Sequence, residues 1–179
     1  ALATRVVNET GIDKLCLAGG VALNCVANGK ILRHAPVRDL FIQPAAGDAG
    51  GAMGVALWTW HHLLDRDRNW KLDDVYLGPG YSDDEILRSL DDYGAVYRKM
   101  ADPDLMREVA EMVDSAKVVG WYQGRLEWGP RALGHRSILG DARNEKMRDI
   151  INIKIKKREG FRPFAPSVLE EDVGRYFEI

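Results

Sequence analysis

The segment Gly124-Arg125-Leu126-Glu127-Trp128-Gly129-Pro130-Arg131-Ala132-Leu133-Gly134-His135-Arg136-Ser137-Ile138-Leu139 constrains this chain more than any other. Arginines alternate there with glycines, which admit tight turns, and a proline, which fixes φ, and the Trp128-Gly129-Pro130 step sets a turn. Flexible surface arginines need no such restriction. A planar guanidinium fork matches phosphate oxygens, so the pattern suits a rigid pocket for phosphate-bearing ligands. Ser137 can add a hydroxyl donor, and Glu127 can orient an arginine or bind a magnesium-carrying phosphate. The alternative is an internal ion-pair network.

The charge distribution supports a localised anion site. Between Arg125 and Arg162 eleven Lys/Arg face five Asp/Glu, on a chain of 179 residues with net charge -2. The rest of the chain is therefore acidic, which argues against a general affinity for nucleic acid or acidic membranes. The composition, 46% hydrophobic and 29% charged, is that of a globular protein. Cys16 and Cys25 fit no zinc spacing and are expected to be reduced core thiols. The longest apolar stretch, Ala49 to Trp60, is too short to span a bilayer. With no signal peptide visible, a cytoplasmic location is expected. Both ends read as cut, so the chain is expected to be a fragment of a longer protein.

Hydrophobic patterning indicates an α/β architecture. Residues 1–9 read as helix, Lys14 to Ala18 as a buried strand ending at Gly19-Gly20, and Val21 to Leu32 as helix. Asp39 to Gln43 reads as a second strand. The turn Gly47-Asp48-Ala49-Gly50-Gly51 follows, then a helix over about 52–64. Composition shifts between Asp65 and Gly80, where a domain boundary is expected. Ser82 is a predicted N-cap with Glu85 as its capping-box partner. That helix should end near Tyr93-Gly94, and Ala95 to Lys99 is expected as a strand. Asp102-Pro103 opens a helix to about Ser115. A buried strand over Lys117 to Tyr122 and a helix over about 144–156 complete the pattern.

Glycine pairs between strand and helix let a ligand approach the backbone, and the helix N-terminus beyond favours phosphate. Asn24 and Asn28, four residues apart, share a helical face. These features equally describe a tight turn with capping asparagines. Asp48 reads either as a helix cap or as an oxygen ligand for a hard cation. The run Lys156-Lys157-Arg158-Glu159-Gly160-Phe161-Arg162-Pro163-Phe164 extends the basic cluster and ends in alternating aromatics and prolines, which favours Arg162 held in a rigid loop. Among the histidines, His61 and His62 point apart on a helix, His34 reads as a surface residue, and His135 can contact a ligand.

At these residues the chain resembles an O-carbamoyltransferase of the NodU/CmcH/TobZ family. The resemblance rests on the runs 18–24, 43–52, 124–139 and 161–167. It implies the end of an ASKHA-type (actin/Hsp70-like) nucleotide- and metal-binding domain over 1–68. An incomplete YrdC-like carbamoyltransferase domain would follow over 69–179. It further implies that ATP and carbamoyl phosphate give a carbamoyl-adenylate. The carbamoyl group would then pass to a hydroxyl of a sugar, nodulation factor or antibiotic precursor. Arg131, Lys156 and Arg162 match the family's anion-binding catalytic positions, with Arg125, Arg136 and Ser137 as second choices. Gly19, Gly20, Asn24, Gly47 and Gly50 match its nucleotide-cradling turns. Asp48 matches a metal-ligand aspartate, for a divalent metal expected to be iron, and magnesium can accompany ATP. No His-x-x-x-His occurs here, so residues outside the chain must complete the metal site, and the chain alone is expected to be inactive. A non-catalytic nucleotide-binding module is the competing reading; a nucleic-acid partner and a membrane are not expected.

Overall fold

A computed structural model of the chain describes residues 1–178. The fold is mixed α/β with two small sheets. The chain forms two compact units, residues 1–81 with 123–135 and residues 82–122 with 136–179. The boundary read between Asp65 and Gly80 falls inside the first unit, where 75–79 hydrogen-bond to the returning segment 125–128.

The first unit begins with α1 (Leu2–Thr10), which ends at Gly11 in a left-handed conformation, φ 72°. Strands β1 (Lys14–Leu17) and β2 (Asp39–Ile42) pair in parallel, Lys14 opposite Asp39 and Leu17 opposite Ile42. Parallel strands need a crossover, which the chain supplies with a 3₁₀ turn (Gly20–Leu23) and α2 (Cys25–His34). The single helix expected over 21–32 is thus divided. Asn24 leaves helical geometry (φ -84°, ψ 91°) and caps α2, its side chain accepting the N–H of Ala27 at 3.1 Å. Helix α3 (Gly50–Trp58) runs into a π-helical turn, Thr59–Leu63.

Both cysteines are exposed, which overturns the expectation of core thiols. Side chains alternate across a strand. Leu15 and Leu17 take the half-buried face of β1, so Cys16 takes the other, with Phe41 paired to it on β2 and also exposed. Cys25 opens α2 and is exposed there.

In the second unit, α4 (Asp83–Asp92) carries the expected capping box: the Ser82 N–H donates to Glu85 Oε2 at 2.8 Å, and the Glu85 N–H donates to Ser82 Oγ at 3.4 Å. Residues 95–99 form no strand. Side-chain ties to the flanking helices hold them instead. Tyr97 donates to Asp91 at 3.0 Å, Lys99 pairs with Asp83 at 3.0 Å, and Arg98 pairs with Glu108. Helix α5 (Asp102–Asp114) precedes β3 (Val119–Tyr122), which pairs antiparallel with β4 (Arg136–Leu139). The helix expected over 144–156 is a short α6 (Met147–Asp149) continued by a π-helical stretch, Ile150–Ile155. Glu170–Asp172 is a 3₁₀ turn, and α7 (Val173–Tyr176) is the last element among the described residues.

Among the described residues the buried apolar side chains are few. They are Val7, Ala22, Val37, Ala45 and Ala46 in the first unit and Met147 and Ile151 in the second. The second cluster sits under Gly140, where an added Cβ would come 2.8 Å from Met147 Sδ. No helix among the described residues is long and apolar enough to cross a membrane.

Candidate functional site

The two glycine turns of the first unit lie side by side. Gly19, with φ 100°, donates its N–H to Ala46 O at 2.7 Å. A Cβ on Gly47 would touch Gly20 Cα at 3.9 Å. Gln43 braces the second turn, donating to Ala45 O at 2.6 Å and accepting the Ala45 N–H at 2.9 Å. Gly50 closes against that brace, and a Cβ there would collide with Gln43 and Ala45. Asn28 donates to Ala22 O at 2.8 Å, which ties α2 back to the first turn.

The loop 123–135 packs onto this pair of turns. Gly129 has φ 111°, and a Cβ on it would lie 2.6 Å from Pro44 O. Arg131 reaches the Leu23 carbonyl through Nη2 at 3.4 Å. Buried Glu127 holds the loop shut. Its Oε1 accepts the N–H groups of Leu133 and His135, both at 2.7 Å. The sequence suggested that Glu127 orients an arginine or meets a magnesium-bound phosphate; its Oε1 orders the backbone. Arg125 donates to Gly78 O at 3.0 Å and Leu77 O at 3.2 Å, so its guanidinium joins the pairing with 75–79. His135 lies stacked on Tyr76, with ring centroids 3.7 Å apart and planes 16° from parallel. Its Nδ1 donates to Arg125 O at 2.8 Å, because a carbonyl only accepts.

The structure therefore brings Gly19, Gly20, Asn24, Gly47, Asp48, Gly50, Arg125 and Arg131 into one unit. Asp48 is exposed; its backbone carbonyl accepts the Gly51 N–H at 3.0 Å, and Ala49, with no side-chain cap, occupies the N-cap position of α3. Among the described residues no group of three or more His, Cys, Asp or Glu is placed to hold a metal ion. The described residues alone do not fit a metal centre.

Arg136, Ser137, Lys156 and Arg162 belong to the second unit, so the basic segment read as one cluster is divided between two units. Arg136 pairs across the sheet with Tyr122, and Ser137 with Trp121. Lys156 ends the π-helical stretch, and Lys157 turns the chain with a left-handed φ of 48°. Arg158 folds inward, donating to Asn152 Oδ1 at 2.7 Å and lying 5.1 Å over the Phe164 ring. Arg162 Nε bonds Glu159 Oε2 at 2.8 Å. That hydrogen bond holds the Glu159 carboxyl below its ordinary value. Asn152 is fully buried and donates to Gly160 O at 3.2 Å and Arg162 O at 2.8 Å. Sequence reasoning missed Asn152 and Tyr76. A single amide inside Ile150-Ile151-Asn152-Ile153 was the available signal for Asn152; nothing in the local pattern marked Tyr76.

Two family models match separate parts of the chain, and the second runs across both units. The carbamoyltransferase N-terminus model matches residues 2–57, and the carbamoyltransferase C-terminus model matches residues 110–179. An uncharacterized Synechocystis protein is 53% identical over 99% of this chain and 30% of its own length. Nodulation protein NolNO of Sinorhizobium fredii is 48% identical over 95% of the chain and 25% of its own length. The 3'-hydroxymethylcephem-O-carbamoyltransferase of Streptomyces clavuligerus is 32% identical over 91% of the chain and 29% of its own length. The chain thus spans less than a third of each of these relatives. With both domain models and these relatives matched, the chain belongs to the carbamoyltransferase family.

Proposed function

We propose that this chain is part of an ATP-dependent O-carbamoyltransferase. In the first step water cleaves carbamoyl phosphate to carbamate and phosphate. A carbamate oxygen then attacks the α-phosphorus of ATP, forming carbamoyl-adenylate and expelling pyrophosphate. In the second step an acceptor hydroxyl attacks the carbamoyl carbon, the bond to AMP breaks, and the hydroxyl proton leaves to solvent. The carbamate ester and AMP are the products. By the kinship with the nodulation and cephem proteins, the acceptor is a small hydroxyl-bearing molecule.

The observation that supports this reading is the placement of Arg131 against the glycine turns. Backbone N–H groups and a guanidinium in such a setting bind nucleotide phosphates. On this reading Gly19, Gly20, Asn24, Gly47 and Gly50 cradle the adenylate, and Arg131 offsets its charge. Lys156 and Arg162 carry the phosphates of ATP and carbamoyl phosphate, with Arg136 and Ser137 in support. These cations offset charge that develops as pyrophosphate departs. Arg125 is assigned instead to the loop framework, because its guanidinium serves the carbonyls of Leu77 and Gly78. Residues 1–68 are assigned to an ASKHA-type domain and 69–179 to a YrdC-like one. Asp48 would offer one oxygen to a divalent metal completed from outside the chain.

Pyrophosphate release from ATP by the full-length protein, without acceptor, tests the reading. Release that depends on carbamoyl phosphate is expected. ATP binding without such release would reduce the protein to a nucleotide-binding module and overturn the proposal.

A further inference from the structure

Asn152 is the most completely buried large side chain among the described residues. It lies within the π-helical stretch Ile150–Ile155, a geometry that places one extra residue in the turn and is frequent at functional sites. A buried amide costs free energy unless its polar atoms are paired. Those of Asn152 are paired with one short segment only. Nδ2 donates to the carbonyls of Gly160 and Arg162, and Oδ1 accepts from Arg158 Nε. The Asn152 backbone carbonyl also accepts the Arg158 N–H at 2.9 Å. Every one of these bonds lands between 158 and 162, the stretch that presents Arg162.

We infer that Asn152 is a positioning residue: through the carbonyls of Gly160 and Arg162 it fixes the loop from which the Arg162 guanidinium meets phosphate. This rests on the proposed role of Arg162. Two further features fit the assignment. Lys157 takes a left-handed conformation, so the loop reverses sharply just before the anchored carbonyls. Gly160 sits close to α6, where an added Cβ would lie 3.3 Å from Asp149 Oδ1. Arg158, although basic, is a support; its guanidinium is engaged with Asn152 and Phe164.

Asn152→Asp is the decisive variant in the full-length protein. It keeps the size and the oxygen that receives Arg158, and replaces the two N–H donors with an acceptor facing two carbonyls. Asn152→Ser, which retains one donor, serves if the aspartate variant fails to fold. Two readouts are needed. Hydrogen exchange at the amides of Lys156, Arg158 and Arg162 reports the anchoring without any ligand, and exchange at least tenfold faster is expected in Asn152→Asp. Pyrophosphate release reports positioning. The KM for carbamoyl phosphate should rise at least tenfold, while transfer from supplied carbamoyl-adenylate stays within twofold of wild type. Asn152→Asp combined with Arg162→Ala should be no worse than Arg162→Ala alone, because one residue acts through the other. Unchanged exchange, or losses that multiply in the double variant, would overturn the inference. If the wild-type protein releases no pyrophosphate, the functional reading fails, and the exchange result still decides whether Asn152 anchors the loop.

Discussion

The loop at 123–135 and the loop at 156–164 solve one problem with opposite chemistry. Each must present arginine without letting the backbone drift. In the first, buried Glu127 accepts two backbone N–H groups; in the second, buried Asn152 donates to two backbone carbonyls. A carboxylate can only accept, and a carboxamide can do both. The first loop therefore gathers amides around a negative charge, whereas the second turns carbonyls inward around a neutral group. Flanking supports differ as well. Arg125 is spent on the carbonyls of 77 and 78, whereas Arg158 is spent on Asn152 itself. Each arginine loop is thus held by a buried polar centre that touches backbone.

Breaking the first centre should have the largest effect on stability. Glu127→Ala removes two charge-assisted bonds of about 1.5–3 kcal/mol each. We expect about 3 kcal/mol of lost stability, read from the denaturant midpoint. Glu127→Gln, which keeps an oxygen at the same reach, should recover at least half of it. A glutamine variant as weak as the alanine variant would show that charge, rather than geometry, holds the loop.

Two glycines of the first loop sharpen the comparison further. Gly129 and Gly134 have nearly the same φ, 111° and 110°. At Gly129 a Cβ would also strike Pro44 O, whereas at Gly134 it would meet nothing within 4 Å. Gly134→Ala should cost about 1 kcal/mol, from backbone strain alone, and Gly129→Ala about 2–3 kcal/mol. Equal costs would place the Gly129 requirement in its dihedral angles and not in the approach to Pro44.

The smallest effect concerns the second loop. Hydrogen bonding from Arg162 depresses the Glu159 carboxyl, whose ordinary value is near 4.5. A carboxyl depressed on folding adds stability above its unfolded value and loses it as pH falls through the folded value. Both groups are exposed, so the stability effect should be slight. Carboxyl NMR should show the Glu159 midpoint below 4.5 and moving upward in Arg162→Ala; an unmoved midpoint would remove Arg162 as its partner.

How legible the sequence was depended on the range of the interaction. The Ser82–Glu85 capping box and the glycine turns were readable because neighbours in sequence make them. The strand expected at 95–99 was a pattern match without a partner strand, and side-chain pairs claimed it. Cys16 was misread because apolar character does not say which face of a strand a residue takes. The π-helical stretches at 59–63 and 150–155 share the periodicity of ordinary helix over so few residues. Pairing of 75–79 with 125–128 and the stacking of Tyr76 on His135 join positions about 50 or more residues apart, and no local pattern announces them. The arginines were visible in the sequence; Glu127 was visible too, though as a partner of arginine or phosphate and not of backbone, and Asn152 was not.

The central claim is that the glycine-turn unit and the second arginine loop serve different steps. Rates of the two half-reactions in full-length Arg162→Ala and Arg131→Ala test it most directly. Arg162→Ala is expected to slow carbamoyl-phosphate-dependent pyrophosphate release by about tenfold or more yet still transfer from supplied carbamoyl-adenylate, and Arg131→Ala to do the reverse. Equal loss of both half-reactions in both variants would contradict it.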